Sequence, residues 1–162
     1  MYVIDTDALV SMAQLVPESN VNLLLEELVP LVEEGMVCFP DLVIAECKRL
    51  AHGESVALWV RSVAGSRVCK SVAYSFTIQV LATAPDLLDE EGEEESSQVA
   101  VAAMALYFSS QGADVVVVTE DRRPLPTRAC LADACKEMDV SDLTVLEFLT
   151  QAGLDSYLSP TE

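Results

Sequence analysis

Apolar positions along the chain fall into short runs closed by an acid or a proline, and each run leads into a longer stretch with apolar residues at helical spacing. Val3 to Ile4 reads as a short buried strand, closed by Asp5. Met36 to Phe39 reads as a second, ended by Pro40, and Asp114 to Thr119, with four consecutive valines, as a third. Arg67 to Lys70 and Val140 to Leu143 add two short strands. Helices are expected over Ser19 to Glu34, Leu42 to Leu50, Ser55 to Ala64, Ser71 to Ala84, Glu93 to Ser110, Thr127 to Lys136 and Val145 to Ala152. In the first of these, Ser19 or Asn20 is the expected cap, Gly35 the stop and Pro30 a kink or break. Asp41 is the expected cap of the second, and Trp59 faces inward in the third. Asp155 to Glu162 is expected to be a frayed tail.

Apolar strands alternating with helices imply an α/β fold whose parallel sheet is covered on both faces. With 162 residues, 51% of them apolar, the chain is sized for one domain, residues 1–154, with a tail at 155–162. No signal peptide is expected, because the opening apolar stretch is short and carries Asp5 and Asp7. No membrane span is expected either. The longest apolar run, Val99 to Phe108, is about half of the roughly 20 residues a span needs. The expectation is a cytoplasmic protein.

The inventory of reactive side chains is narrow. Cys38, Cys47, Cys69, Cys130 and Cys135 are odd in number and show no CxxC spacing, so they read as small buried hydrophobes in a reducing compartment. His52 is the single histidine, which leaves little room for imidazole catalysis or zinc. Carboxylates remain, and without soft partners they favour hard cations such as Mg2+ or Mn2+. With 27 acidic and 9 basic residues the formal charge is −18, which argues against a general nucleic-acid binder and fits solubility or a basic partner. Seven of the ten residues from Asp86 to Glu95 are acidic, a stretch that reads as a solvated loop or a contact for a basic partner.

In a parallel sheet, ligands bind beyond the carboxyl ends of the strands where the strand order switches. That rule selects Asp5 and Asp7 after the first strand and Thr119-Glu120-Asp121 after the valines. Clustered acids at a buried edge are tolerable when a divalent cation neutralises them, and such a site activates water and stabilises a phosphoryl oxygen. Asp5 and Asp121 are the leading candidates, and Glu46, amid Val43, Ile44 and Cys47, is the third. A solvated helix face for Glu46 and a capping turn for "TED" are the plain alternatives.

Four segments, "YVIDTDALV", "VCFPDLVIAECKR", "QVAVAAMALYFSSQGADVVVVTED" and "LPTRACLADACKEMDVSDLTVLEFLTQAGL", resemble in order and spacing a PIN domain of the single-domain bacterial, VapC-like type. The resemblance implies a three-layer α/β/α fold with a central, mostly parallel sheet of four to five strands. It implies a metal-dependent ribonuclease in which acids hold Mg2+ or Mn2+, an activated water attacks phosphorus and the leaving 3′-oxygen is stabilised. Asp5, Glu46 and Asp121 match the metal-site acids, and Asp7 and Thr119 match auxiliary polar positions. An RNA substrate, an antitoxin or other protein partner, a homodimer and a role as the toxin of a toxin–antitoxin pair belong to the same expectation.

Gln98 stands where the family usually carries another acid. Glu95 or Glu94, one helical turn earlier, can supply the missing charge; otherwise the site is weakened and the chain is a PIN-fold protein-interaction module. Arg122 and Arg123, directly after Asp121, are candidate phosphate ligands, with charge compensation as the alternative for these and for Arg128. "VIDTDAL" also resembles the first motif of haloacid-dehalogenase-like phosphatases, in which Asp5 would be the nucleophile and Asp7 the acid/base; that family's later Lys and paired acids lack convincing context here.

Overall fold

A computed structural model describes residues 1–50, 55–63, 72–89 and 96–159. The order is β1 (Tyr2–Ile4), α1 (Thr6–Leu15), α2 (Glu18–Glu33), β2 (Val37–Cys38), α3 (Asp41–Leu50), α4 (Ser55–Val63), α5 (Tyr74–Thr83), α6 (Ser97–Ser110), β3 (Val116–Val118), α7 (Leu131–Glu137), β4 (Ser141–Leu143) and α8 (Val145–Gln151). Short 3-10 helices cover Pro85–Leu87 and Asp155–Leu158. Among the described residues four strands form one all-parallel sheet in the order β2-β1-β3-β4, flanked by helices as a three-layer α/β/α fold. Val3, Ile4, Val117 and Val118 have no exposed surface, as central strands covered on both faces require.

The chain steps from β1 to one side, into β2, and from β3 to the other, into β4. The order therefore switches between β1 and β3, and the carboxyl ends of these two strands are where a parallel sheet usually binds its ligand. α6 leads into β3 and so runs antiparallel to it, which brings its N-terminus toward the same edge. Phe39, Leu9, Met12, Leu28, Met104 and Phe148 fill the core. Trp59 faces inward, as expected, with its ring 5.8 Å from that of Phe39. Among the described residues no helix is long and apolar enough to cross a membrane.

Several boundaries differ from expectation for identifiable reasons. α1 was not anticipated; it starts directly after Asp5, which is itself the cap. α2 runs on through Pro30. Pro30 and Glu26 both lie on the exposed side, where water can take the carbonyl that lacks its amide. Gly35, at φ 77°, ends that helix as expected. Pro17, not Ser19 or Asn20, is its N-cap. α5 is shorter than expected, and Val80 is its fully buried residue. α7 begins at Leu131 rather than Thr127, because Leu125 and Arg128 exchange main-chain bonds of 2.9 and 3.3 Å in a tight bridge, and Pro124 and Pro126 hold that loop out of helical geometry. The strand expected at Arg67 to Lys70, and Glu93 to Glu95 of the helix before β3, lie outside the described residues.

The C-terminal segment is anchored rather than frayed as far as it is described. Asn20, 1% exposed, donates from Nδ2 to the carbonyls of Tyr157 (3.0 Å) and Ser159 (2.8 Å). The Tyr157 hydroxyl donates to Glu27 at 3.2 Å. A buried amide must find such partners, and a lost one costs about 1–3 kcal/mol. Asn20→Ala should therefore lower unfolding stability by about 1–3 kcal/mol in urea and speed amide exchange around Tyr157. Unchanged stability would mean that this clamp holds nothing.

Candidate functional site

The carboxyl edge at the switch point is built on Asp5. Its amide continues the β1–β3 pairing by donating to the Val118 carbonyl at 3.1 Å. Its side chain then caps α1, with Oδ1 accepting from the Ala8 amide at 2.7 Å. Oδ2 accepts from the Thr119 hydroxyl. Thr119 Oγ1 in turn accepts from the Asp121 amide at 2.9 Å, and the Thr119 amide donates to Leu143 at 3.0 Å. One threonine thus ties the ends of β1, β3 and β4 together.

Asp121, 7% exposed, is held from the far side. Its Oδ2 accepts from Arg128 Nη1 at 2.8 Å and from the Leu131 amide at 2.9 Å; Arg128 Nη2 reaches Oδ1 at 3.4 Å. Asp121 therefore satisfies the first amide of α7 from ten residues upstream. Glu120 does the same for α8, with Oε1 accepting from the Val145 amide at 2.8 Å.

Asp5 is 2% exposed, and its pKa is pushed up to about 7. Burial is the main cause, and the charges of Asp7 and Asp121 add to it; the Thr119 and Ala8 bonds pull the other way. Asp7 is open to solvent on one side of the α1 N-terminus. Its pKa is also raised, by desolvation first and then by Asp121 and Glu46, while Arg128 opposes the rise. Half-buried Glu46 acts on Asp7 from α3, which packs on α1. Asp5, Asp7, Glu46 and Asp121 therefore share one neighbourhood of mutual repulsion. Burial also pushes the nearby Cys47 thiol up to about 12, which leaves it an inert core residue.

Arg122, Arg123 and Gln98 are also described. Arg122 Nη1 pairs with Asp142 at 2.7 Å and Nε donates to the Thr119 carbonyl at 3.1 Å, while Nη2 is buried with no hydrogen-bond partner among the described residues. Arg123 is exposed. Gln98 is half-buried in the first turn of α6, and its Oε1 accepts from the Ser96 hydroxyl at 3.2 Å. Glu94, Glu95, His52 and Cys69 lie outside the described residues. Among the described residues no three Asp, Glu, His or Cys side chains gather closely enough, as they stand, to hold a metal ion.

Three features were not singled out from the sequence. Arg128 was one of several arginines, and its ion pair depends on the Leu125–Arg128 bridge. The buried hydroxyls of Thr6 and Ser97, at the first positions of α1 and α6, have no hydrogen-bond partner among the described residues. Their only sequence signal is a hydroxyl at the start of a helix on the carboxyl edge.

Residues 2–155 match the family described as "Domain of unknown function (DUF4411)". The chain belongs to the DUF4411 family. The matched span takes in the whole described sheet and every acid of the switch-point edge, so in this DUF4411 chain the candidate site lies inside the family domain. A comparison with curated proteins finds no match.

The raised pKa of Asp5 fixes a pH dependence. Between its ordinary value of 3.8 and the folded value near 7, the native state holds more protons than the unfolded chain, so this group's contribution to stability is full below that window and lost as pH rises through it. Urea unfolding in chelator from pH 4.5 to 7.5 should show wild type losing ground to Asp5→Asn with rising pH, at a slope approaching ~1.4 kcal/mol per pH unit. A flat difference would contradict the burial of an ionisable Asp5.

Proposed function

We propose that this chain is a metal-dependent endoribonuclease of the PIN type, with its site at the β1/β3 switch point. One observation carries the reading: Asp5, Asp7, Glu46 and Asp121, acids from three separate parts of the chain, converge and repel one another at that edge. Packing alone gives no reason to collect like charges beside a buried strand end.

The donor chemistry suits a hard cation. The acids offer only oxygen, and the orphaned hydroxyls of Thr6 and Ser97 are neutral oxygens near the same edge. Asp5, Glu46 and Asp121 would hold the ion, with Asp7 and Thr119 beside it. Bound there, Mg2+ or Mn2+ supplies an activated water and neutralises charge on a phosphoryl oxygen. The rest falls to the chain. The Ala8 amide and the Thr119 hydroxyl fix Asp5 against rotation, the Leu131 amide fixes Asp121, and Asp7, open to solvent, can accept a proton at its carboxylate. The Asp121–Arg128 pair and the engagement of Gln98 by Ser96 favour, as second reading, a PIN-fold module retained for protein binding.

The test is cleavage of single-stranded and structured RNA with Mn2+. Wild type should cut and chelator should stop it, and Asp5→Asn should lower the rate at least about 100-fold, the scale at which one essential acid contributes. No metal-dependent cleavage, together with no rise in Tm at millimolar Mn2+, would leave the protein-binding reading.

A further inference from the structure

We propose that Arg128 is the resident counter-cation of the acidic site and competes with a divalent metal for Asp121; this rests on the metal-dependent reading above. The guanidinium meets the carboxylate as a fork, Nη1 on Oδ2 at 2.8 Å and Nη2 on Oδ1 at 3.4 Å. Its side chain is only 11% exposed, far from the free surface arginine that charge compensation in an acidic chain would call for.

The loop that delivers Arg128 is fixed in several ways. Arg128 Nη1 also donates to the Ala129 carbonyl at 2.9 Å. The Ala129 amide donates to the Asp86 carbonyl at 2.6 Å, and the Leu125–Arg128 bridge closes the turn over Pro126 and Thr127. The positive charge is therefore placed on Asp121 by the fold, and it reaches Asp7 as well.

A guanidinium and a metal ion seek the same carboxylate lone pairs, and their charges repel. Asp121 is drawn toward α7 by Arg128 and the Leu131 amide together, which accounts for the acids standing apart although they share one neighbourhood. The two holds differ in kind. The Leu131 amide orients Oδ2 without bringing a net charge, whereas Arg128 brings both. Removing Arg128 leaves the carboxylate oriented by the amide and uncovers its charge, so the metal should bind more tightly. In the metal-free protein Arg128 stabilises the acidic edge, and metal loading has to overcome it.

Calorimetric titration of Mn2+ into metal-free full-length protein tests this, with Tm read in parallel. Arg128→Gln should bind Mn2+ about fivefold or more tightly than wild type, the lower end of the usual coupling between two ligands, and its Tm without metal should fall. Adding Asp121→Asn to Arg128→Gln should abolish the gain. Arg128→Lys, which keeps a charge but cannot form the fork, should fall between Arg128→Gln and wild type and serves as the test should Arg128→Gln fail to fold. Mn2+ binding by wild type that is matched or weakened in these variants overturns the competition and leaves the metal site standing. No Mn2+ binding by any of the proteins overturns the metal site and this proposal with it.

Discussion

The Thr119 hydroxyl stands between the Asp5 carboxylate and the Asp121 amide, and the carboxyl edge of the sheet is organised around it. Donating to one and accepting from the other, it satisfies the second oxygen of a buried acid whose first oxygen is held by the Ala8 amide. It also fixes the loop after β3 relative to the start of α1. Because the Thr119 amide reaches Leu143, the same residue carries this register on to β4. The remaining acids are brought to this edge by α1, α3 and the turn into α7.

Charge gives the rest of the account its direction. The chain carries −18 overall, and most of its described acids are exposed. The switch-point acids differ in being buried or crowded, and their neighbours raise the free energy of ionising Asp5 and Asp7. Two arginines answer locally. Arg122 pairs with Asp142 beside β4, and Arg128 pairs with Asp121 under α7. Breaking a pair as buried as the second, by removing one partner, typically costs about 3–5 kcal/mol, which makes Arg128 part of the fold and, on the competition proposed above, an obstacle to a second cation.

The strands and the switch-point acids were legible because each rests on a local signal: Val3-Ile4 before an aspartate, four valines before Thr-x-Asp, an alternation of strand and helix. α1 went unread although its signal is equally local, since Asp5 was taken as chemistry and is also a cap. The start of α7 was not legible, because the group that satisfies its first amide is Asp121, ten residues away, and the Leu125–Arg128 bridge replaces the helix expected there. Asn20 shows the same limit. Read as a cap for α2, it is a clamp on a segment 137 residues further on. Arg128 gained its role only from folding, which converts one arginine among several into the counter-ion of a buried acid.

A cation site built on Asp5 and Asp121 at the β1/β3 switch point is open to anomalous diffraction from crystals grown with Mn2+. One strong peak is expected within coordination distance of Asp5 and Asp121, with Arg128 turned away from the carboxylate wherever the ion is bound. No peak there at millimolar Mn2+, with Arg128 still forked on Asp121, would rule the site out.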